Sequence, residues 1–130
     1  MIRCEIITPE GPYKTIECEA LTVGTIDGER GLLEHHMSII LMLDISKLVL
    51  TIDGVKKYYA ISSGMLYFDN GVAKILVDAI EAEDEIDVDR AIKAKERAER
   101  RLSRKDENTD IRRAEIALKK AINRINISSL

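Results

Sequence analysis

LVDAIEAEDEIDVDRAIKAKERAERR, residues 76–101, changes its period partway along. Up to Ala82 apolar and polar residues alternate as in a strand, whereas from Asp87 alanines and charged residues recur with helical spacing. Asp87 is placed to cap that helix, with Asp89 in the first turn set favourably against the helix dipole. The stretch therefore divides the chain into a β part, residues 1–84, and a helical part, residues 85–130.

Upstream, short period-two runs are punctuated by glycine, proline and aspartate. IRCEII ends at Thr8-Pro9-Glu10-Gly11-Pro12, a turn because proline restricts φ and glycine tolerates positive φ. YKTIECEALTV then reads as one run in which Ile16, Cys18 and Ala20 alternate against Thr15, Glu17 and Glu19. KLVLTI and VKKYYAIS flank Asp53-Gly54, which suits a type I′ hairpin, and MLYF and VAKILVD flank Asp69-Asn70-Gly71. Many short strands with frequent turns predict a small antiparallel sandwich or barrel.

Downstream of Asp87 there is no proline or glycine, and SRKDENTD, residues 103–110, separates two helical patterns. Thr109 or Asp110 is the expected cap of the second helix, and two antiparallel helices joined by a short loop are the simplest arrangement. At roughly 100° per residue, Ala91, Ala94, Ala98 and Leu102 share one arc, with Arg90, Arg97, Arg101 and Arg104 on the neighbouring arc. On the second helix Ala114, Ala117 and Ala121 share a face between Ile111, Leu118, Ile122 and Ile125 on one side and Arg113, Lys120 and Arg124 on the other. An alanine contact is weak, since each methyl in place of a leucine side chain forgoes about 1–2 kcal/mol. The clustered arginines suit either a solvated face or an anionic ligand, because the guanidinium fork binds phosphate oxygens bidentately.

At 130 residues the chain is long enough for one domain, or for a small domain with an appendage. A formal net charge of −3 argues against a dedicated nucleic-acid binder, and the absence of a long apolar run argues against a membrane span. The N-terminus lacks the pattern of a signal peptide, so a cytosol-facing protein is expected. Cys4 and Cys18 have no zinc-ligand spacing and are expected as buried or half-buried thiols in strands. His35 and His36 point different ways on almost any backbone, which disfavours a metal pair. No nucleophile elbow, zinc-protease motif or Walker loop occurs, so no catalytic or metal-binding residue is assigned.

Taken together, these motifs resemble the epsilon-subunit family of bacterial and chloroplast-type rotary (F-type) ATP synthases. Gly28-Glu29-Arg30-Gly31-Leu32-Leu33 followed by His36 resembles the family's Gly-x-x-Gly-x-Leu…His segment. Ser63-Gly64-Met65, Asn70-Gly71-Val72 and LVDAIEAEDEID resemble its last strands and domain junction, and RAIKAKERAERRL and RRAEIALKKAINRI its helical pair. Where the family commonly has Pro-Gly-His-x-Pro, this chain has Glu34-His35-His36-Met37-Ser38, without either proline or the glycine.

The resemblance implies an α+β fold: an N-terminal antiparallel β-sandwich of about ten strands, then a C-terminal two-helix antiparallel hairpin. It implies a non-catalytic subunit of a proton- or sodium-translocating complex, peripheral on the cytoplasmic face of the cell membrane and associated with the membrane only through that complex. The sandwich would dock on the gamma subunit and the membrane rotor ring, with His36 as a contact candidate. The hairpin would extend into the catalytic alpha/beta hexamer and inhibit ATP hydrolysis, with Arg101, Arg104 and Arg113 facing acidic partners. Ile86-Asp87-Val88-Asp89-Arg90-Ala91 matches the Ile/Leu-Asp-x-x-Arg-Ala motif through which some members bind ATP as a regulatory ligand. Carried over by position, Glu81, Ile86 and Asp87 would contact the adenine side and Arg90 and Arg97 the phosphates, with Ala91 completing the motif. Arg124 is a further phosphate candidate, and Lys120 stands where close relatives have arginine. The magnesium requirement stays open. Rival readings are a rotor subunit without ATP sensing, in which Asp87 is only an N-cap, an independent nucleotide-binding module, and a nucleic-acid-binding hairpin on a β scaffold.

Overall fold

A computed structural model describes residues 1–104 and 109–130. The chain divides into two compact units, Met1–Glu83 and Asp84–Leu130. Among the described residues the first unit holds nine strands, in keeping with the expected sandwich of about ten: β1 (Ile2–Thr8), β2 (Gly11–Cys18), β3 (Ala20–Thr25), β4 (Gly28–Leu33), β5 (Ile39–Ile52), β6 (Val55–Ile61), β7 (Gly64–Asp69), β8 (Val72–Val77) and β9 (Ile80–Ala82).

The predicted turns form for the predicted reason. Ile52 pairs with Val55 and Asp69 with Val72, leaving two residues at each hairpin tip. Asp53, Gly54, Asn70 and Gly71 all have positive φ, as type I′ turns demand. Pro12 is accommodated because β2 lies at the end of the sheet path and the β1–β2 register slips between Ile6 and Ile7.

YKTIECEALTV is two strands rather than one. β2 ends at Cys18 and β3 begins at Ala20, and the buried positions change parity from Cys18 to Leu21 and Val23. A break at Glu19 lets one run serve two parts of the sheet, which strict alternation in the sequence conceals.

Strands are hydrogen-bonded in the order β2-β1-β8-β7-β5-β3-β4, with β6 on β5 and β9 on β6. The ladders are antiparallel except β1–β8, which runs parallel because β1 inserts beside the last long strand. β5 is the corner: Ile39–Leu43 pairs with β7, whereas Ser46–Ile52 pairs with β6, so one strand serves both layers of the sandwich. The core between the layers takes Ile2, Cys4 and Ile6 from β1, Leu48 and Leu50 from β5, Leu66 and Phe68 from β7, and Ala73, Ile75 and Val77 from β8.

In the second unit α1 spans Val88–Arg104 and α2 spans Ile111–Ser128. The first helix thus runs through Ser103 and Arg104, two residues into the expected break, whose residues 105–108 lie outside the described residues. The helices pack on each other. A connection of six residues reaches at most ~25 Å, too short to return along a helix ~25 Å long and cross to a neighbour, so the pair is antiparallel.

Candidate nucleotide and partner-contact sites

α1 starts where the carboxylate of Asp87 meets its first turn. Asp87 Oδ1 accepts from the Arg90 amide at 3.1 Å, and the Asp87 carbonyl accepts from the Ala91 amide at 3.0 Å. Asp110 does the same for α2, accepting from the Arg113 amide at 3.0 Å, so the cap is Asp110 rather than Thr109. The two aspartates share a structural role, but only Asp87 lies in the nucleotide-like motif. Asp110→Ala is expected to cost about 1 kcal/mol, read as lost helicity and a lower thermal midpoint, with the sandwich unchanged.

The side chains buried on the helices include Ala91, Ala98, Ala114 and Ala121, while Ala94, Leu102 and Ala117 are half-buried. Relative to its alanine arc, each helix carries a run of cations, and no acid, on the side reached by stepping backwards round the helical wheel, with its other cations elsewhere among the acids. Antiparallel packing turns these two sides the same way. Arg90, Arg97, Arg101 and Arg104 of α1 therefore line one long edge of the hairpin together with Arg113, Lys120 and Arg124 of α2. All but Arg124 are exposed, and Arg124 is half-buried. Among the described residues none of the exposed six makes an ion pair. Such an edge carries self-repulsion that a polyanion relieves.

Ile86, just before the cap, is buried, and Ala91 is wholly so. Glu81 belongs to the first unit, half-buried in β9 opposite Ala60 of β6. The hairpin thus gathers Ile86, Asp87, Arg90, Ala91, Arg97, Lys120 and Arg124 in one unit, and Glu81 belongs to the other.

On the sandwich, His36 sits in the loop that lacks the family's prolines. Its amide closes a turn onto the Leu33 carbonyl at 3.0 Å, Nδ1 donates to the Met37 carbonyl at 2.7 Å, and its ring lies edge-on to Phe68. Ser38 Oγ donates to Asp69 Oδ1, tying the far end of the loop to the β7–β8 turn. These contacts hold the loop where proline would otherwise restrict it. Met37 and Leu33 are left exposed, at 77% and 66%.

Sequence patterning missed an apolar outer face. Pairings run Ile7–Leu76–Met65–Met42 across β1, β8, β7 and β5, and Ile40 lies beside Tyr67 in the adjacent row. Ile40 and Met42 are 60% and 52% exposed. The available signal was parity: IILML, residues 39–43, and MLYF, residues 65–68, are apolar at consecutive positions, so both faces of those strands are apolar. Contiguous exposed apolar surface marks a docking face. Among the described residues no cluster suited to a metal is present, and no helix is long and apolar enough to cross a membrane.

Fold and surfaces together define a two-part protein: a β-sandwich with an apolar outer face, followed by a helical hairpin with a cationic edge. Residues 1–83 match the family described as the ATP synthase delta/epsilon chain β-sandwich domain, and residues 84–129 the ATP synthase delta/epsilon chain long α-helix domain. The chain is 37% identical over 127 residues to the ATP synthase epsilon chain of Bacillus velezensis, covering 98% of this chain and 96% of the relative. It is 40% identical over 123 residues to that of Desulforamulus reducens, covering 95% and 93%. The protein belongs to the epsilon-chain family of bacterial-type F-type ATP synthases. A chain in the Euglena gracilis mitochondrial ATP synthase OSCP/F1/c-ring structure superposes with a TM-score of 0.83 at 28% identity, covering 94% of this chain and 78% of that one. A chain of the Tetrahymena thermophila central stalk/c-ring structure, at 12% identity, 98% and 93% coverage and a TM-score of 0.58, shares the fold.

Proposed function

We propose that this protein is a non-catalytic central-stalk subunit of an F-type ATP synthase, peripheral on the cytoplasmic face of the membrane, with a regulatory hairpin that ATP holds in its folded form. The observation that carries the regulatory part is the hairpin's acid-free cationic edge, which begins in the Ile86–Ala91 motif and has no ion pair at its exposed residues among those described. ATP would bridge the helices, with phosphates on Arg90, Arg97, Lys120 and Arg124 and the adenine side toward Ile86 and Asp87. Lys120 offers a point charge rather than a fork, a weaker phosphate contact than arginine. Without ATP the hairpin opens, Arg101, Arg104 and Arg113 engage acidic segments of the catalytic hexamer, and hydrolysis stops. A chain similar to this one, at 28% identity, comes from an OSCP/F1/c-ring assembly, which supports association with the rotary complex.

The test adds the protein to a hexamer–gamma complex lacking it and follows ATP hydrolysis. Hydrolysis is expected to fall at low ATP and recover as ATP rises, and a chain ending before Asp87 is expected to bind without inhibiting. Inhibition independent of ATP would support a rotor subunit without nucleotide sensing.

The sandwich's apolar outer face is the proposed gamma-docking surface, with the His36 loop toward the rotor ring. Met42→Glu puts a charge on that face at a half-exposed position. It is expected to change folding stability by no more than about 0.5 kcal/mol while weakening gamma binding about tenfold or more, measured by titrating labelled gamma subunit. Unchanged affinity would place the docking surface elsewhere.

A further inference from the structure

Cys4 in β1 lies opposite Ile16 and Cys18 in β2 opposite Ile2, so the two cysteines are diagonal neighbours on one face of adjacent strands. Both are fully buried and unoxidised, with their sulfurs 3.4 Å apart. We propose that the pair is a modification site, a dithiol that takes an oxidising equivalent from a low-molecular-weight disulfide and closes to a Cys4–Cys18 disulfide joining β1 to β2.

Diagonal cross-strand side chains are within reach of each other. From 3.4 Å the sulfurs need approach by only about 1.3 Å to reach bonding distance. The pair is also electronically unequal. Its hydrogen bond to Cys18, together with burial, holds the Cys4 thiol above the ordinary thiol range, and the same bond holds Cys18 below it. Cys18 also lies on β2, at the end of the sheet path, where a small disulfide meets it first, and it is the attacking sulfur. Access comes through β2, which lies at the end of the sheet path, is bonded in the ladders to β1 alone and carries Pro12 at its bulged end. Edge segments open before the core does.

The chemistry balances with one reactant. The Cys18 thiolate, its proton released to solvent, attacks one sulfur of the small disulfide and expels a thiolate. That thiolate takes the Cys4 proton, and the Cys4 sulfur attacks Cys18 and expels the second thiolate, which is protonated by solvent. Two protein thiols are oxidised and one disulfide is reduced to two thiols.

The test exposes the folded full-length chain to excess glutathione disulfide at neutral pH, without denaturant, then alkylates and weighs it. Expected are a mass lower by two hydrogens, no alkylation, a peptide link between Cys4 and Cys18, reversal by dithiothreitol, and a thermal midpoint raised by on the order of 10 °C. Cys4→Ser and Cys4→Ala, run in parallel because either alters the core, are expected to stop at a glutathione adduct on Cys18. Wild-type thiols that stay reduced until denatured, a lasting glutathione adduct on the wild type, or linkage only between molecules would each overturn the proposal.

Discussion

Gly64→Ala is expected to cost the protein about 3 kcal/mol or more of stability. A Cβ at Gly64 would stand 2.0 Å from the Leu76 carbonyl oxygen and 2.9 Å from the Val77 Cα. Those are backbone atoms, so no rotamer change relieves the clash and the β7–β8 ladder itself must shift. Gly64 also pairs with Leu43 at the corner of β5, where one strand passes between layers, and the displacement would reach both. Gly31→Ala is the matched control, since its Cβ would meet nothing closer than Thr22 Oγ1 at 3.9 Å. That variant is expected to stay within about 0.5 kcal/mol of the parent. In urea the Gly64 variant's midpoint should fall by about 1–2 M and the control's should hardly move. Equal midpoints for the two variants would show that the close approach at Gly64 is not what makes glycine necessary there.

Calorimetric titration of the isolated protein with ATP should show saturable binding that Arg90→Ala weakens about 10- to 100-fold, the worth of one lost charge-assisted contact. Asp87 needs a more careful substitution because it caps α1. Asp87→Ser keeps a capping oxygen while removing the carboxylate, and is expected to lose affinity without losing helicity. Asp110→Ala removes the corresponding cap from α2 and is expected to lose helicity while retaining most of the affinity. Losses that followed helicity across these variants would make Asp87 a cap and nothing more. Binding only to the folded hairpin would stabilise it by about 2.7 kcal/mol at a hundredfold excess over Kd. A contact built largely on alanine methyls leaves the hairpin marginal enough for that to decide its state.

Much of this was legible without coordinates. The change of period between Ala82 and Asp87 located the helical part because side-chain spacing, 2.0 against 3.6 residues, is a property of local backbone geometry. Asp53-Gly54 and Asn70-Gly71 declared their hairpins because so few residues tolerate positive φ at consecutive positions. Asp87 was legible as a cap for a similarly local reason. The motif carrying the proposed nucleotide site could be read as six consecutive residues, since the first turn of a helix is contiguous in sequence.

What escaped local reading depended on which strand meets which. Alternation through YKTIECEALTV hid the break at Glu19, because two strands in different parts of the sheet happen to meet end to end there. The parallel β1–β8 pair, the double duty of β5 and the apolar row from Ile7 to Met42 were set by long-range pairing. Likewise, two cysteines far apart in sequence became a 3.4 Å pair only through the register of β1 on β2. By itself the sequence determined the elements, their turns and caps, and the charge along each helix, since those follow from near-neighbour sterics and periodicity. Only the tertiary structure decided which faces are buried together and which are left for partners, because register and layer order arise from the whole core packing at once.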